Sequence, residues 1–399
     1  MSVAAERAGA RGIDRRGMTG LSFGHLFTDL NQGAVAALIP FLIAERGISL
    51  TAAGALILAA TVSSSVVQPI FGIFSDKRSL SALMPLGLLL GGVGIALVGV
   101  APNYATIFAC IVLSGIGVAA FHPEGARFAN YVSVSGGRAR GMSYFSVGGN
   151  AGFALGPALT TPLILAFGMP GTLLLVLPAA LMAAVLFMEL PRLATFRPEA
   201  AGVGKSSPAT TTDAAPGSGW WFAFVRMVAV VVIRSFVYFG LVAFVASYYV
   251  QDLGTSAAFG NTALTVMLAS GAAGTLLLGG VADRFGRRTV LAGTMLVAGP
   301  LVYAFTLSGP IVGAVLLGCV GACLIGTFGI TVVMGQEYLP DRIGLAAGIS
   351  LGLSIGIGGV GATSLGAFAD AYGLSNMLLL LAVLPVLGFL LTLTLPKKV

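Results

Sequence analysis

The chain has 399 residues, of which 57% are hydrophobic and only 9% charged, whereas an ordinary soluble domain has roughly 25% charged residues. Apolar blocks of about 20 residues recur from near residue 20 to the end, which is the length that a helix needs to cross a hydrocarbon core of about 30 Å. This composition excludes a soluble protein, and the lack of period-two alternation excludes a membrane β-barrel. The sequence therefore predicts an all-α integral membrane protein.

The net charge of +7 is explained by the distribution of the basic residues. Lysines and arginines concentrate before the first apolar block, in alternate loops and after the last block, whereas the other set of loops carries only Arg46. By the positive-inside rule, both termini are expected in the cytoplasm, which requires an even number of crossings. The basic residues thus predict the topology of a multi-pass protein in the plasma (bacterial inner) membrane, and not a nucleic-acid partner.

Twelve crossings fit the pattern in chain order. They are predicted at Leu21–Ala44, Thr51–Ser75, Leu80–Val100, Tyr104–Tyr131, Ala139–Phe167, Pro170–Leu190, Phe222–Val250, Ala257–Ala282, Thr289–Leu307, Pro310–Tyr338, Ile343–Ala371 and Gly373–Leu395. Between the sixth and seventh, Pro191–Gly219 has the composition of a linker. We therefore predict a cytoplasmic N-terminal tail (residues 1–18), an N-terminal six-helix half (19–190), a cytoplasmic linker (191–219) and a C-terminal six-helix half (220–399).

Polar residues interrupt the first predicted span at Gly24–Gly33. His25 and Asp29 are four residues apart and Gln32 follows Asp29 by three, so all three project from one face of a helix. At 1.5 Å per residue, Asp29 is expected roughly 12 to 15 Å from the cytoplasmic start of the span, close to mid-membrane. The first span is therefore expected to place an ionisable group inside the bilayer.

The fourth span carries the sequence FHPEGAR, in which Glu124 and Arg127 lie three residues apart on one face. A charged side chain at the centre of a membrane helix costs roughly 2.5 to 3.5 kcal/mol on insertion scales, so two imply a partner and a use. We expect Asp29, Glu124 and Arg127 to satisfy one another, whereas His122 precedes Pro123 and is expected to point elsewhere. The alternative is that Glu124 and Arg127 form only a structural ion pair.

The second half supplies further polar groups, Arg234 in the seventh span and Gln336 with Glu337 late in the tenth. The residues predicted to line a substrate cavity are His25, Gln32, His122, Arg127, Arg234, Gln336 and Glu337. Glu337 is close enough to the inner surface to be a solvated end residue instead. No nucleotide-binding loop, metal constellation or nucleophile motif is present, so we expect no cofactor, no metal site and no catalytic residue.

The two halves read as a repeat. The sequence GIFSD at the end of the second span corresponds to GGVAD at the end of the eighth, and a shift of about 205 residues aligns Arg138 with Arg342 and Gly148 with Gly352. Duplicated six-helix halves are common in secondary transporters, which bind substrate near the midplane between the halves. The repeat therefore favours a transporter.

The stretch GGVADRFGRRT after the eighth span resembles the signature loop of the major facilitator superfamily, and the copy after the second span is degraded at Ser79, Leu80 and Ser81. The resemblance implies twelve transmembrane helices in two pseudo-symmetric six-helix halves, and a cytoplasmic gate. The gate residues it implies are Gly72, Asp76, Lys77, Arg78, Arg138, Gly279, Asp283, Arg284, Gly286, Arg287, Arg288 and Arg342.

In that gate, the resemblance implies that each loop aspartate meets the start of a helix in the other half, where a carboxylate is favoured by the helix dipole and a nearby guanidinium. Asp283 is expected near Arg138 and Arg140, and Asp76 near Arg342. The alternative is that these loop charges only set the orientation of the protein in the membrane.

Gly148, Gly152, Gly156 and Pro157 in the fifth span resemble a glycine-rich motif of drug:proton antiporters in the same superfamily. The alternative is plain close packing between helices, which small residues permit in any membrane bundle. A narrower resemblance is carried by GHLFTDLNQGAVAALIPFL, FHPEGAR and QEYLPDRIGLAAGISLGLSIGIGG, which look like the fosmidomycin-resistance group, whose members are taken to be proton-driven drug exporters.

The predicted function is export of a small drug-like compound in exchange for protons by alternating access, which would confer antibiotic resistance. Asp29 and Glu124 are predicted to carry the coupling proton, with Arg127 stabilising whichever carboxylate is ionised. Fosmidomycin is a small anionic phosphonate that Arg127 or Arg234 could receive. The alternative is a proton-coupled uptake symporter for an organic anion or sugar-like solute. The expected partners are a small-molecule substrate, protons and the lipid bilayer, and the expected state is monomeric.

Overall fold

The fold was analysed in a computed structural model of the chain. It describes residues 12–77, 80–133, 138–196, 218–342, 346, 349–350 and 354–396. The described residues are helical apart from turns and one isolated β-bridge between Ile13 and Ser133. The predicted all-α class is therefore confirmed.

Six crossings form the first half of the molecule. They are α1 (Arg15–Arg46), α2 (Leu50–Ser65, continued by Gln68–Lys77), α3 (Leu83–Leu97), α4 (Tyr104–Tyr131), α5 (Arg138–Phe167) and α6 (Val176–Ala194). Short 3-10 turns extend α3 at Val98–Val100 and precede α6 at Met169–Leu175.

Six more crossings form the second half. They are α7 (Ser218–Gln251), α8 (Ala257–Phe285), α9 (Arg287–Thr306), α10 (Pro310–Gly326, continued by Phe328–Tyr338), α11 (Ser354–Tyr372) and α12 (Leu374–Thr392). Within the described ranges, eleven spans are long and apolar enough to cross a membrane, and the remaining crossing, α11, begins beside residues outside those ranges. The predicted linker lies largely outside the described residues, so the division of the chain into domains stays a prediction.

Contacts between helix ends define two sides of the bundle. The start of α7 meets the end of α12, because Arg226 Nη1 donates to the carbonyl of Thr394 at 2.8 Å. The start of α1 meets the ends of α4 and α6, through an Asp14 amide bond to the Val132 carbonyl and an ion pair from Arg192. We call this the terminal side and the opposite face the far side.

Helix α1 begins at Arg15, six residues before the predicted Leu21, because polar residues cap it. The Asp14 carboxylate accepts a hydrogen bond from the Gly17 amide at 2.8 Å, which satisfies one of the free amides of the first turn. Arg192 holds the same carboxylate at 2.7 Å. A hydropathy pattern cannot detect this polar start, which extends α1 beyond the apolar block.

The glycine-rich motif of α5 packs directly on α1. A Cβ atom on Gly152 would lie 2.0 Å from the Leu26 carbonyl oxygen, and one on Gly148 would lie 2.3 Å from that of Ser22. Gly156 faces the backbone at Gly33 in the same way. Close backbone approach is the usual role of small residues between membrane helices, and here it fixes the position of α5 against the polar face of α1.

The two halves are joined on the far side by hydrogen bonds that the sequence analysis did not find. At the end of α11, the Asp370 carboxylate accepts from the amides of Leu50 and Thr51 at 2.9 and 2.8 Å, and so caps α2 of the other half. In α8, Asn261 Nδ2 donates to the Ala37 carbonyl at 3.1 Å and to Thr161 Oγ1 at 2.9 Å. These contacts close the far side.

Candidate functional site

Three ionisable side chains meet in the first half, and we call them the His–Asp–His cluster. His25 Nε2 lies 3.2 Å from Asp29 Oδ2, His122 Nε2 lies 3.3 Å from Asp29 Oδ1, and the two Nε2 atoms are 3.2 Å apart. His25 is buried, and the other two side chains are largely buried. Helices α1 and α4 therefore share one polar centre.

Backbone carbonyls and an aromatic ring orient the two imidazoles. His25 Nδ1 lies 2.8 Å from the Phe145 carbonyl oxygen, and His122 Nδ1 lies 2.8 Å from that of Val118. The His25 ring also stacks on the Phe145 ring, with centroids 4.1 Å apart. Because a carbonyl oxygen only accepts, each Nδ1 carries a hydrogen, and in a neutral ring each Nε2 is then an acceptor.

With this tautomer assignment, the Nε2 atoms and the Asp29 carboxylate all face one another as acceptors, an arrangement that suits an additional cation. Without one, two nitrogen lone pairs and a carboxylate would face one another at hydrogen-bond distance, which is repulsive. A proton on either Nε2 converts the contacts into hydrogen bonds and balances the charge of Asp29. The donor atoms lie within 4.8 Å of one another, a spacing that a small cation bridges. The geometry of the cluster thus suits a proton shared between Asp29 and an imidazole.

The expected direction of His122 was wrong. Helix α4 runs without interruption from Tyr104 to Tyr131 through Pro123, so His122 keeps a helical orientation and faces α1. At about 100° per residue, Glu124 projects roughly 200° away from His122. A proline normally disfavours helix for the residue before it, but here the helix continues and delivers the histidine to Asp29.

Glu124 and Arg127 form a separate pair, which corrects the expectation that they and Asp29 satisfy one another. Glu124 is fully buried, and its Oε1 lies 3.4 Å from Arg127 Nη1. Its Oε2 makes no hydrogen bond. Within the described part of the chain, neither residue lies within ion-pair distance of Asp29. The first half therefore contains two distinct ionisable sites.

In the second half, Arg234 of α7 is buried and has no carboxylate within ion-pair distance among the described residues. Its Nη1 donates to Thr327 Oγ1 at 3.3 Å and Thr331 Oγ1 at 3.2 Å, and its Cζ lies 4.0 Å from the centroid of the Phe328 ring. Nε and Nη2 make no hydrogen bond. Since a buried cation is costly without an anion, the guanidinium has donors available for one.

Helix α10 is interrupted beside this guanidinium. It ends at Gly326 and resumes at Phe328, with Thr327 between the two parts. The start of the second part carries the positive end of a helix dipole, and discontinuous helices mark substrate sites in many transporters. Arg234 lies beside the start of the Phe328 helix, with its Cζ 4.0 Å from the centroid of the Phe328 ring. The sequence analysis missed Thr327, Phe328 and Thr331, because an apolar block hides a helix break.

The sequence repeat places Arg234 at the position equivalent to Asp29 of the His–Asp–His cluster. Arg234 follows Asp29 by 205 residues, and its partner Thr327 follows His122 by the same interval. That interval agrees with the repeat read from the loops, so Asp29 and Arg234 occupy equivalent positions in the two halves. This repeat is visible in the sequence. Adding 205 residues to the position of His122 would have identified Thr327 as a candidate site residue.

Tyr238 of α7 extends the region around Arg234. It lies one helical turn after Arg234, and its ring contacts the ring of Phe328, with centroids 5.7 Å apart.

The other predicted cavity residues are not part of either region. Gln32 is partly buried, and no hydrogen bond joins it to a described residue of the cluster. Gln336 is likewise partly buried, near the terminal end of α10. Glu337 forms an ion pair with Arg287 at the start of α9. The structure thus places Glu337 beside the signature loop, about 15 Å along the helix from Thr327.

The predicted gate contact of Asp283 is absent among the described residues. Asp283 and Arg284 are exposed, and Asp283 forms no ion pair with Arg140. Arg342 is also exposed, and open space surrounds Gly72 and Gly279. The Gly286 amide bonds the Ala282 carbonyl at 2.9 Å, and Arg288 donates to carbonyls at the end of α12. The side chains of Asp76, Lys77, Arg78 and Arg138 lie outside the described residues.

On the far side, by contrast, Asp370 and Asn261 of the second half bond to the first half. Alternating access requires that contacts on one side break when those on the other form.

Comparison with known proteins assigns the fold. The family model of the Major Facilitator Superfamily matches residues 21–359. The chain belongs to this superfamily. It is therefore a multi-pass membrane transporter, and it acts on a small-molecule substrate, which confirms the family and the twelve-helix fold predicted from the signature loop.

Curated members of the superfamily resemble the chain over nearly its whole length. An uncharacterized MFS-type transporter, YfnC of Bacillus subtilis strain 168, is 34% identical and covers 92% of this chain and 89% of its own. The fosmidomycin resistance protein of Escherichia coli K12 is 32% identical and covers 95% and 92%. The predicted resemblance to the fosmidomycin-resistance group is thus confirmed.

Solved structures of the superfamily have the same fold. A bacterial homolog of the human lysosomal transporter Spinster, in an inward-facing and occupied conformation, superposes with a TM-score of 0.78 at 16% identity and covers 96% of this chain and 97% of its own. The nucleoside transporter NupG gives 0.69 at 14% identity, with 95% and 98% covered. At these identities the likeness concerns the major facilitator fold alone.

Proposed function

We propose that the protein is a proton-coupled secondary transporter that exports a small anionic drug-like compound. The observation that carries the proposal is the pair of complementary sites at equivalent positions of the two halves. One is a carboxylate with two imidazoles, which binds a proton. The other is a buried guanidinium with unused donors, which binds an anion. The resemblance to a fosmidomycin resistance protein supports export and an anionic substrate.

The proton site of the proposal is the His–Asp–His cluster, with Glu124 as a second carboxylate. Ionisable residues inside membrane spans commonly belong to proton relays. Asp29 and His122 keep partial exposure, which gives protons a route in. Glu124 is fully buried beside Arg127 at 3.4 Å, so its protonation would weaken that ion pair. Arg127 therefore serves Glu124 in this mechanism.

The anion site of the proposal is Arg234 with the start of the Phe328 helix. A phosphonate or carboxylate there would accept charge-assisted hydrogen bonds from Nε and Nη2. Arg234 is closed off from solvent in this structure, so the substrate gains access when α10 moves at its break beside Thr327. Alternating access would rock the halves between the far-side contacts and the terminal-side signature loops.

The proposed setting is the bacterial inner membrane with both termini in the cytoplasm. The terminal side carries the basic loops, which fits the positive-inside rule. The far side, closed by Asp370 and Asn261, would then face outward, and the structure would be open toward the cytoplasm. A drug exporter in this state is ready to load substrate from the cell.

A second candidate is uptake of an organic anion together with a proton. It is favoured by the opposite charges of the ligands that suit the two sites, a proton at the His–Asp–His cluster and an anion at Arg234. An anion at Arg234 and a proton on the cluster attract each other, so the two ligands would bind cooperatively, which is the requirement of a symporter. Exchange requires the opposite, that a proton arriving at the cluster lowers the affinity for the anion.

Flux in proteoliposomes distinguishes the candidates. Vesicles carrying the purified protein would be given an imposed pH gradient, with fosmidomycin as the probe and a chelator present to remove trace metal ions. Export by exchange predicts that fosmidomycin moves against the direction of proton flow. Co-movement with protons would support uptake, and flux insensitive to the pH gradient would contradict both candidates.

A further inference from the structure

A groove of about 500 Å³ lies between α1 and α5 on the terminal side. Its walls are apolar and include Phe23, Leu26, Tyr144 and Val147. Arg15 and Arg140, at the starts of the two helices, form its terminal edge. The groove thus combines an apolar slot with a basic entrance.

The groove opens toward the lipid and not toward the transport route. Tyr144, Ala151, Leu155 and Pro162 follow one another at intervals of 7, 4 and 7 residues, so they share a face of α5. Tyr144 is 52% and Leu155 44% exposed, and Pro162 is exposed beside the far side, where the halves are joined. An exposed apolar face that continues past the closed end of the bundle contacts lipid.

Helix α5 has its polar face on another side. Ser146 is exposed and Asn150 is partly buried, and they lie about 200° and 240° around the helix from Tyr144. Gly149 faces the His–Asp–His cluster. The groove therefore lies behind the α1–α5 contact, on the face opposite to the proposed proton site.

Among the residues that the structure describes, the basic entrance has no acidic partner. Arg15 and Arg140 are exposed, and no carboxylate of a described residue lies within 4 Å of either guanidinium. Their neighbours are paired, since Arg16 binds Glu189 and Arg192 binds Asp14. Two guanidinium groups above an apolar slot match the headgroup phosphate and acyl chain of an anionic phospholipid.

We propose that this groove is a binding site for an anionic phospholipid. The phosphate accepts charge-assisted hydrogen bonds from Arg15 and Arg140, and the two helix starts add positive potential at the same edge. An acyl chain lies along Phe23, Leu26 and Val147. The lipid then bridges α1 and α5 from outside, and the site is independent of the transported substrate.

Binding can be measured on the full-length protein in nanodiscs of phosphatidylcholine, titrated with phosphatidylglycerol and followed by native mass spectrometry. The doubly substituted Arg15→Gln, Arg140→Gln protein is expected to bind phosphatidylglycerol about 30-fold more weakly, since each basic residue near the membrane surface contributes about 1 kcal/mol. The matched control is Arg46→Gln, which removes an exposed arginine from the far side and is expected to leave binding unchanged.

A second variant tests whether the apolar part of the groove holds an acyl chain, and it leaves the charge of the protein unchanged. Ala151→Phe fills the groove and is expected to weaken phosphatidylglycerol binding severalfold while the melting temperature stays near that of the wild type. Equal binding by the wild type and the arginine variant would overturn the proposal. Equal binding by glycerol phosphate and phosphatidylglycerol would overturn the assignment of the slot to an acyl chain.

Discussion

The two halves of the molecule place opposite charges at equivalent positions near the middle of the bundle. In the first half, Asp29 lies between His25 and His122, whose Nε2 atoms are 3.2 and 3.3 Å from its carboxylate oxygens. In the second half, Arg234 is surrounded by threonines and an aromatic ring, which supply no negative charge. The two halves share one scaffold, and in the proposed function this difference places the proton in one half and the anion in the other.

The largest expected effect comes from removing the carboxylate of the cluster. Asp29→Asn removes the negative charge that would hold the added proton. The rate of proton-driven transport in proteoliposomes is therefore expected to fall by about 100-fold or more, which corresponds to a loss of about 3 kcal/mol or more. The control is Glu45→Gln, which removes an exposed carboxylate at the end of the same helix and should leave transport intact. Undiminished concentrative transport by Asp29→Asn would remove the cluster from the mechanism.

The next largest effect is expected from removing the buried guanidinium of the second half. Arg234→Gln removes the charged donors, so affinity for an anionic probe such as fosmidomycin is expected to fall about 10- to 100-fold, because hydrogen bonds to charged groups contribute about 1.5 to 3 kcal/mol. Binding of an uncharged ester of the probe should change little. Arg226→Gln, on the same helix but exposed and bonded to the Thr394 carbonyl, is the matched control. Equal losses for charged and uncharged probes would point to a structural role.

A smaller effect is expected from crowding the cluster without changing its charge. A Cβ on Gly149 would lie 2.5 Å from His25 Nε2 and 2.7 Å from Asp29 Oδ2, so Gly149→Ala displaces the imidazole at a cost of about 1 to 3 kcal/mol. Proton-driven transport should fall about tenfold, with a lower melting temperature. Gly293→Ala adds the same methyl group where no atom lies within 4 Å, and it should behave as the wild type.

The smallest predicted effect concerns the contact that holds the two halves together on the far side. Asp370→Asn weakens the cap of α2, which is worth about 1 kcal/mol, so the population with an open far side should rise about fivefold. Distances between fluorophores on the far-side ends of α2 and α11 would report it. Asp252→Asn loses a bond to Ser375 within the second half and should leave the distances unchanged, whereas equal shifts in both variants would contradict a gate role for Asp370.

The sequence was sufficient to predict the twelve crossings, the duplication and the family, because these depend on hydropathy and on a local motif. It also placed His25 and Asp29 on one face, since a four-residue spacing fixes this in any helix. It could not give the direction of His122, which depends on whether α4 continues through Pro123. Nor could it find the partners of Asp370, because Leu50 and Thr51 lie about 320 residues away in the sequence and meet it only in the folded protein.

The most direct measurement is the count of protons exchanged when the anion binds. Calorimetric titration of the detergent-solubilised protein with fosmidomycin, in buffers of different ionisation enthalpy, gives that count from the dependence of the heat on the buffer. The account predicts that binding to the wild type releases a proton from the His–Asp–His cluster, and that Asp29→Asn binds the anion without release. Proton uptake on binding, no change in protons bound, or the same release from Asp29→Asn would contradict it.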